Sequence, residues 1–432
     1  MTKSIPHSPS QALAIEKVVR EEWGRILASL VKSLGNLQLA EDCLQDAFVS
    51  AMQHWQRNGL PRSPAGWLIT AARRKAIDRL RRDQNFQSKQ SELSYLADLA
   101  NQSLYDHDGP DLEMATIPDK RLELIFTCCH PALDQRSQIA LTLRTLCGLT
   151  TEEIARALLV QSTTMGQRLL RAKKKIAAAQ IPYQIPEADQ LPSRLSSVLA
   201  VIYLMFNEGY RASSGAELVR VDLSNEAIRL ARVVASLLPN QPEVDGLLAL
   251  MLLHDSRRIA RTDGEGHAIT LENQDRSKWQ RDMIDEGTAL LKNVLPLGQV
   301  GPYQVQAAIS AVHAEAASFA DTDWVQIEAL YRFLSAITPT PVVMVNMAVA
   351  ISYSRDPKTA LAFMEKEGKA HDLSTYQHYW AAKADFLSRI GEHAEAHTAY
   401  EKALDLSENE RDRTWLRNQL QDLEDRMRET AD

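Results

Sequence analysis

Residues 162–176 carry two interleaved repeats, and together they dictate an amphipathic helix with two working faces. Met165, Leu169, Ala172 and Ile176 recur at i, i+4, i+7 and i+11, the spacing that lines one side of a helix with 3.6 residues per turn. Thr164, Arg168, Arg171 and Lys175 recur at the same offsets one residue earlier, so a cationic, hydroxyl-bearing stripe runs beside the apolar one. Upstream, Thr150 with Glu153 predicts a capping box. Small Ala155 permits a close helix crossing, and Leu158 and Val160 plug a turn. The pair reads as a helix-turn-helix whose second helix seats on a small core and offers its polar face to a major groove. Ser162, Thr163, Thr164, Gln167, Arg168, Arg171, Lys174 and Lys175 are the expected DNA contacts. The same periodicity also allows a solvated amphipathic helix pair, which is the alternative.

The 432 residues are enough for two to four domains with proper cores. Helix formers dominate and alternating β-branched runs are scarce, so the expected fold class is all-α. A net charge of −7 conceals an asymmetry: residues 1–180 carry 24 Lys/Arg against 19 Asp/Glu, and residues 181–432 carry 25 against 37. A basic first half and an acidic second half suggest a nucleic-acid binder joined to something with another task. Plain solvation is the other account of the acidic half. Cys43, Cys128, Cys129 and Cys147 form no CxxC pair, which argues against zinc and for small buried hydrophobes. No cofactor or metal is expected. The chain opens without a signal peptide and has no apolar run near the roughly 20 residues that span a bilayer, so the expected location is the cytoplasm, with no membrane partner.

Residues 11–82 form a first helical unit. Within it Leu44, Phe48, Ala51 and Trp55 line one side of a helix, while Asp42 and Asp46 line another. Asn58-Gly59-Leu60-Pro61 breaks the chain, and Ser63-Pro64 restarts it as an N-cap followed by proline at the first helical position. The new helix repeats Leu68, Ala72, Ala76 and Leu80, flanked by Arg73, Arg74, Lys75, Arg79, Arg81 and Arg82. That cation density favours phosphate contact over a merely solvated face. Residues 83–117 are polar and aperiodic and read as a linker. Residues 118–180 form a compact helical module that ends in the helix-turn-helix. From residue 191 to 432 the chain is helical throughout. Ala381, Ala384, Leu387, Gly391, Ala394, Ala396, Ala399, Tyr400, Ala403 and Leu404 match the small and large positions of a tetratricopeptide repeat. Pro341–Tyr353 with Pro357–Lys366 is a weaker copy upstream. Stacked helical hairpins are the expectation; an irregular bundle is the alternative.

Taken together, the first 180 residues resemble a sigma-70-family sigma factor of the extracytoplasmic-function type. Ala40-Glu41-Asp42 with Gln45-Asp46 and Phe48 resembles the region-two helix that docks on the polymerase. The resemblance therefore implies core RNA polymerase as partner, bound by Glu41, Asp42, Gln45, Asp46 and Phe48. Trp67-Leu68-Ile69 through Arg73, with Asp78-Arg79-Leu80-Arg81-Arg82, resembles the helix that reads and melts the minus-ten element. Arg62, Ser63, Trp67, Arg73, Arg74, Arg79, Arg81 and Arg82 are the implied contacts there. Many members carry Arg-Asn where this chain has Arg73-Arg74, and Arg and Asn offer different hydrogen bonds. Glu153-Ile154-Ala155, Thr164, Arg168-Leu169 and Arg171-Ala172-Lys173 resemble the region-four motif for the minus-thirty-five element. The strings Ile202–Tyr210, Gln274–Trp279, Gly301–Ala308 and Asp321–Trp324 resemble the long tetratricopeptide-like extension of one subgroup, and they imply the group without a biochemical role.

Promoter opening asks no covalent chemistry of such a subunit, only capture of unstacked bases at a few kcal/mol each. The loop Leu60–Pro64 suits a base pocket, and Trp67 could stack there or belong to the core. His254-Asp255, His313 with Glu315, and Asp321 with Asp323 lack a third partner at ligand spacing, and no nucleophile elbow or phosphate loop is present. The expectation is a non-enzyme. A helix-turn-helix regulator with a repeat-type sensor is the rival reading, although it does not need the basic Arg73–Arg82 helix. The extension is expected to modulate activity, through a regulatory protein or a ligand.

Overall fold

Short polar residues set many helix starts in this chain. Asn36 accepts from the Leu39 amide, Asp134 from that of Ser137, Asp323 from that of Gln326 and Thr340 from that of Val343, each satisfying an amide that the helix itself leaves orphaned. A computed structural model describes residues 9–82, 119–158, 160–211, 218–262, 269–370, 373–407 and 410–429. Those residues form helices and no strand. The expected linker at 83–117 lies outside them.

The chain divides into two compact units, at Glu208/Gly209. The first holds α1 (Pro9–Leu34), α2 (Leu37–Asn58), α3 (Pro64–Arg82), α4 (Arg121–Cys128), α5 (Gln135–Thr145), α6 (Thr151–Ala157) and α7 (Ser162–Ala178). It also takes the start of α8 (Leu191–Arg211), whose Arg194 donates to the Phe126 carbonyl at 2.6 Å. Ile26, Leu27 and Leu30 pack with Leu44, Ala51 and Trp55 and with Leu68, Ala72 and Ala76, all buried. Two glycines bring α1 against the end of α5. A Cβ on Gly24 would stand 2.6 Å from the Leu146 carbonyl oxygen, and one on Gly148, at φ +70°, would meet the Trp23 ring at 2.9 Å. The halves that the sequence separates by a linker thus share one packed interior. The four cysteines are all buried, and burial pushes the Cys43 thiol up to about 11.

The second unit follows with α9 (Leu218–Leu237), α10 (Pro242–Asp255), α11 (Arg281–Val294), α12 (Pro302–Glu315), α13 (Trp324–Ile337), α14 (Pro341–Ser354), α15 (Pro357–Ala370), α16 (Gln377–Arg389), α17 (His393–Asp405) and α18 (Glu410–Glu429). Helix α10 is apolar nearly all round and buried on almost every side, as a central helix must be. Beyond it the core passes from helix to helix. Ile309, Ile327 and Val343 join α12, α13 and α14; Ile351, Met364 and Phe386 join α14, α15 and α16; Leu387, Tyr400 and Leu416 join α16, α17 and α18. Each helix buries one side against the element before it and one against the element after, the arrangement of a quasi-one-dimensional stack.

Candidate nucleic-acid interface

Helix α7 separates its two stripes as the periodicity requires. Met165, Leu169, Ala172 and Ile176 are buried, while Ser162, Thr163, Thr164, Gln167, Arg171, Lys174 and Lys175 are exposed and Arg168 is half-buried. The turn before α6 holds the expected capping box, with Glu153 accepting from the Thr150 amide at 2.7 Å and Thr150 from the Glu153 amide at 3.2 Å. Thr163, Thr164, Gln167, Arg168 and Arg171 face the N-terminus of α5 across a cleft of about 470 Å³ whose far wall is Asp134, Arg136 and Ser137. Bonds from Ser137, hydroxyl first and then amide, with the Arg168 field adding to them, hold the Asp134 carboxyl below its ordinary range. Arg136 joins this surface without having been expected there. Its signal was the string Asp134-Gln135-Arg136, which puts a cation in the first turn of a capped helix.

The basic helix is less uniform than its sequence. Arg74 and Arg81 are exposed, as is Arg62 in the preceding loop, and Arg73 is half-buried. Ser63 caps α3, accepting from the Gly66 amide at 3.3 Å. Trp67 stacks on His54 at 5.6 Å and meets Trp55 edge-on at 5.5 Å, and it is half-buried. The Arg82 side chain lies outside the described residues. Arg79, expected among the minus-ten contacts, turns towards α2. It donates to Asp46 at 2.5 Å and to Asp42 at 3.4 Å, so the expected phosphate contact and the expected acidic docking face are one patch. Helices α2 and α3 pack side by side, which brings residues more than thirty positions apart into register.

Glu41, expected with Gln45 and Phe48 among the polymerase contacts, has a side chain only 3% exposed, whereas Gln45 and Phe48 are half-buried. Arg144 of α5 donates to Oε1 at 2.5 Å and Lys173 of α7 to Oε2 at 2.5 Å. Gln45 adds a bond to Oε1 at 3.2 Å, and Lys173 bonds Gln38 at 3.1 Å. Lys173 therefore turns away from the groove-facing stripe and into the seam between the two halves.

Comparison with known proteins matches these elements one by one. Residues 19–86 match sigma-70 region 2, residues 123–176 match sigma-70 region 4, and residues 194–295 match a family of unknown function, DUF6596. The chain belongs to the sigma-70 family. This sigma factor is 42% identical over 400 residues to an uncharacterized protein of Rhizobium meliloti (strain 1021), covering 92% of the chain and 93% of that relative. No solved structure matches it. Its organisation is that of an extracytoplasmic-function sigma factor with a C-terminal extension.

In the extension of this sigma factor, the strings singled out in the sequence meet inside the second unit. Arg261 lies 3.6 Å over the ring of Tyr210, which is 5.5 Å from His254, and His254 shares a 3.1 Å bond with Ser310. Arg276 donates to the carbonyls of His313 and Ala316 and to Thr322, closing the end of α12. His313 meets Trp324 at 5.2 Å, and Trp324 stacks on Tyr353 at 4.5 Å. Burial, then the fields of Arg257 and Arg261, pushes His254 down to about 3. Burial with Arg257 and Arg276 takes His313 to about 4. These residues brace helix ends. Among the described residues no group of three His, Cys, Asp or Glu is placed to hold a metal ion, and no helix is long and apolar enough to cross a membrane.

Proposed function

We propose that this sigma factor binds core RNA polymerase through the α2 face around Asp42, Asp46 and Phe48 and directs it to a two-part promoter. In this reading α7 presents Thr164, Gln167, Arg168 and Arg171 to the minus-thirty-five element. The loop at Arg62-Ser63 with Trp67 and the cations of α3 engage the minus-ten element. The extension from residue 191 onward modulates the output, through a regulatory protein or a ligand. The observation that carries the reading is the exposed hydroxyl and guanidinium face of α7, continued by Arg136 across the cleft. Base-edge readout in a major groove needs that donor set on one helix face. The test is transcription reconstituted from core polymerase, this protein and DNA from upstream of its own gene. Specific initiation that depends on the protein supports the reading. DNA binding without polymerase recruitment would favour an ordinary helix-turn-helix regulator.

A further inference from the structure

Past the end of α10, three guanidinium groups gather with no carboxylate bonded to them. Arg257, Arg261 and Arg276 are all half-buried, and among the described residues none of them makes an ion pair. The nearby acids are engaged elsewhere: Asp255 holds Arg258 at 2.5 Å, and Asp321 accepts from the Ser318 hydroxyl at 2.7 Å. Arg261 donates to the Tyr210 carbonyl at 2.8 Å, and Arg276 donates to carbonyls and a hydroxyl at the end of α12. Those partners are neutral. The Arg257 side chain makes no hydrogen bond among the described residues. Its field nonetheless bears on His254, His313, Arg261 and Arg276 alike, which puts it in the middle of the group. Burial first, with the Arg257 field adding to it, pushes Arg261 and Arg276 below the ordinary arginine range. Two buried ring nitrogens beside Arg276 also lack a partner. One is Nε1 of Trp279, a residue 8% exposed whose ring lies 4.9 Å from the guanidinium, and the other is Nδ1 of His313.

We propose that Arg257, Arg261 and Arg276 form a binding site for the phosphate group of a small molecule, with Arg257 as its principal ligand. Three half-buried like charges repel one another more strongly than they would in water, and this occurs in the part of the chain where acids outnumber bases 37 to 25. An entering anion turns that repulsion into attraction. A guanidinium fork fits either a carboxylate or a phosphate, and charge decides between them. A phosphate monoester brings close to two negative charges and three terminal oxygens, which answer three cations better than the single charge of a carboxylate. His254 and His313 stay neutral at pH 7, so they add no further repulsion. The bound group would tie the chain after α10 to the segment that closes α12. The site thus gives a chemistry to the ligand route proposed for the extension. Its regulatory use rests on that reading, whereas the binding does not.

The test is calorimetric titration and thermal unfolding of the full chain at about pH 8, where a phosphate monoester is dianionic. Inorganic phosphate, glycerol 3-phosphate and acetate are the three arms, at an ionic strength held constant with sodium chloride. Wild type should bind phosphate or its ester saturably and melt higher as either is added. Tighter binding of the ester would assign the site to a phosphorylated metabolite, and equal binding to the free ion; both support it. Arg257→Gln should lose at least tenfold in affinity. In phosphate-free buffer the same variant should melt level with wild type or above it, because a repelling charge goes and no hydrogen bond is lost. General solvent effects of phosphate, and any phosphate held on the DNA-facing helix, are common to both proteins, so their difference isolates this site. Equal phosphate binding in the two proteins, or none in wild type, overturns the site. Acetate binding as tightly as phosphate overturns the phosphate assignment. A variant that melts lower in phosphate-free buffer makes Arg257 a structural brace and overturns the site as well. No polymerase enters these measurements, so their failure leaves the functional reading standing, and a failure of polymerase recruitment leaves the site standing.

Discussion

At the scale of single residues, the side chains of α7 have two destinations one residue apart. Arg171 and Ala172 are neighbours in sequence, yet one is exposed and the other buried. Arg171→Ala, and separately Arg168→Ala, should weaken promoter recognition without unfolding the chain. A lost base contact would amount to about 1–3 kcal/mol and relax selectivity at one position, whereas a lost phosphate contact would weaken all sequences alike. Binding titrations on promoter variants separate the two, and unchanged affinity and selectivity in both variants would remove this face from recognition. His254 supports a prediction in the other unit. Its folded pKa, about 3, lies below the ordinary histidine value of 6.5, so the unfolded chain takes up a proton that the folded one refuses. The contribution of His254 is therefore present above about pH 6.5 and is lost as pH falls towards 3, by up to about 1.4 kcal/mol per pH unit. His254→Gln carries no such penalty. Its urea midpoint should gain on wild type between pH 7 and pH 5, and a constant difference would contradict the assignment.

At the scale of elements, the pairing of α2 with α3 redistributes charge that the sequence presents as one basic run. Arg79 is answered by Asp42 and Asp46, while Arg81 and Arg74 are exposed. Each phosphate contact contributes about 0.9 to the salt slope of DNA binding. Arg81→Ala should therefore flatten the slope by nearly that amount and Arg79→Ala by less, measured by promoter binding across a salt series. Equal slopes for wild type and Arg81→Ala would make the run a solvated face. Reversing Asp42 and Asp46 to Lys should reduce polymerase binding and also release Arg79, so its effect will exceed what two exposed carboxylates contribute to folding. A shorter element carries its own prediction: Thr150→Ala removes one side of the capping box and should cost about 1 kcal/mol, read as a lower melting temperature.

At the scale of the whole molecule, the division between the two units falls inside α8. Arg194 ties the start of α8 to the Phe126 carbonyl, so removal of everything after Ala179 would strip a strut from the first unit as well as the extension. A stop after Arg211 keeps that strut, and it should lower promoter-dependent output in the reconstituted assay if the extension is needed for function. Equal output from the truncated and full-length proteins would make the extension a passenger.

Periodicity and helix-end chemistry determined the two stripes of α7, the capping box at Thr150 and Glu153, and the helices between Pro341 and Leu404. Each is a local property, set by 3.6 residues per turn and by which backbone groups a helix end leaves unpaired. The strings around Tyr210, Arg276 and Trp324 were visible too, but their role as braces was not, because each acts on a helix end far along the chain. Only the tertiary structure decided where the charges went. Glu41 meets Arg144 and Lys173 across 103 and 132 residues, and Arg79 meets Asp46 across 33. A charged side chain on a helix surface satisfies the same pattern whether it faces water, DNA or another helix. Its environment is set by which element packs against it, and no local spacing records that.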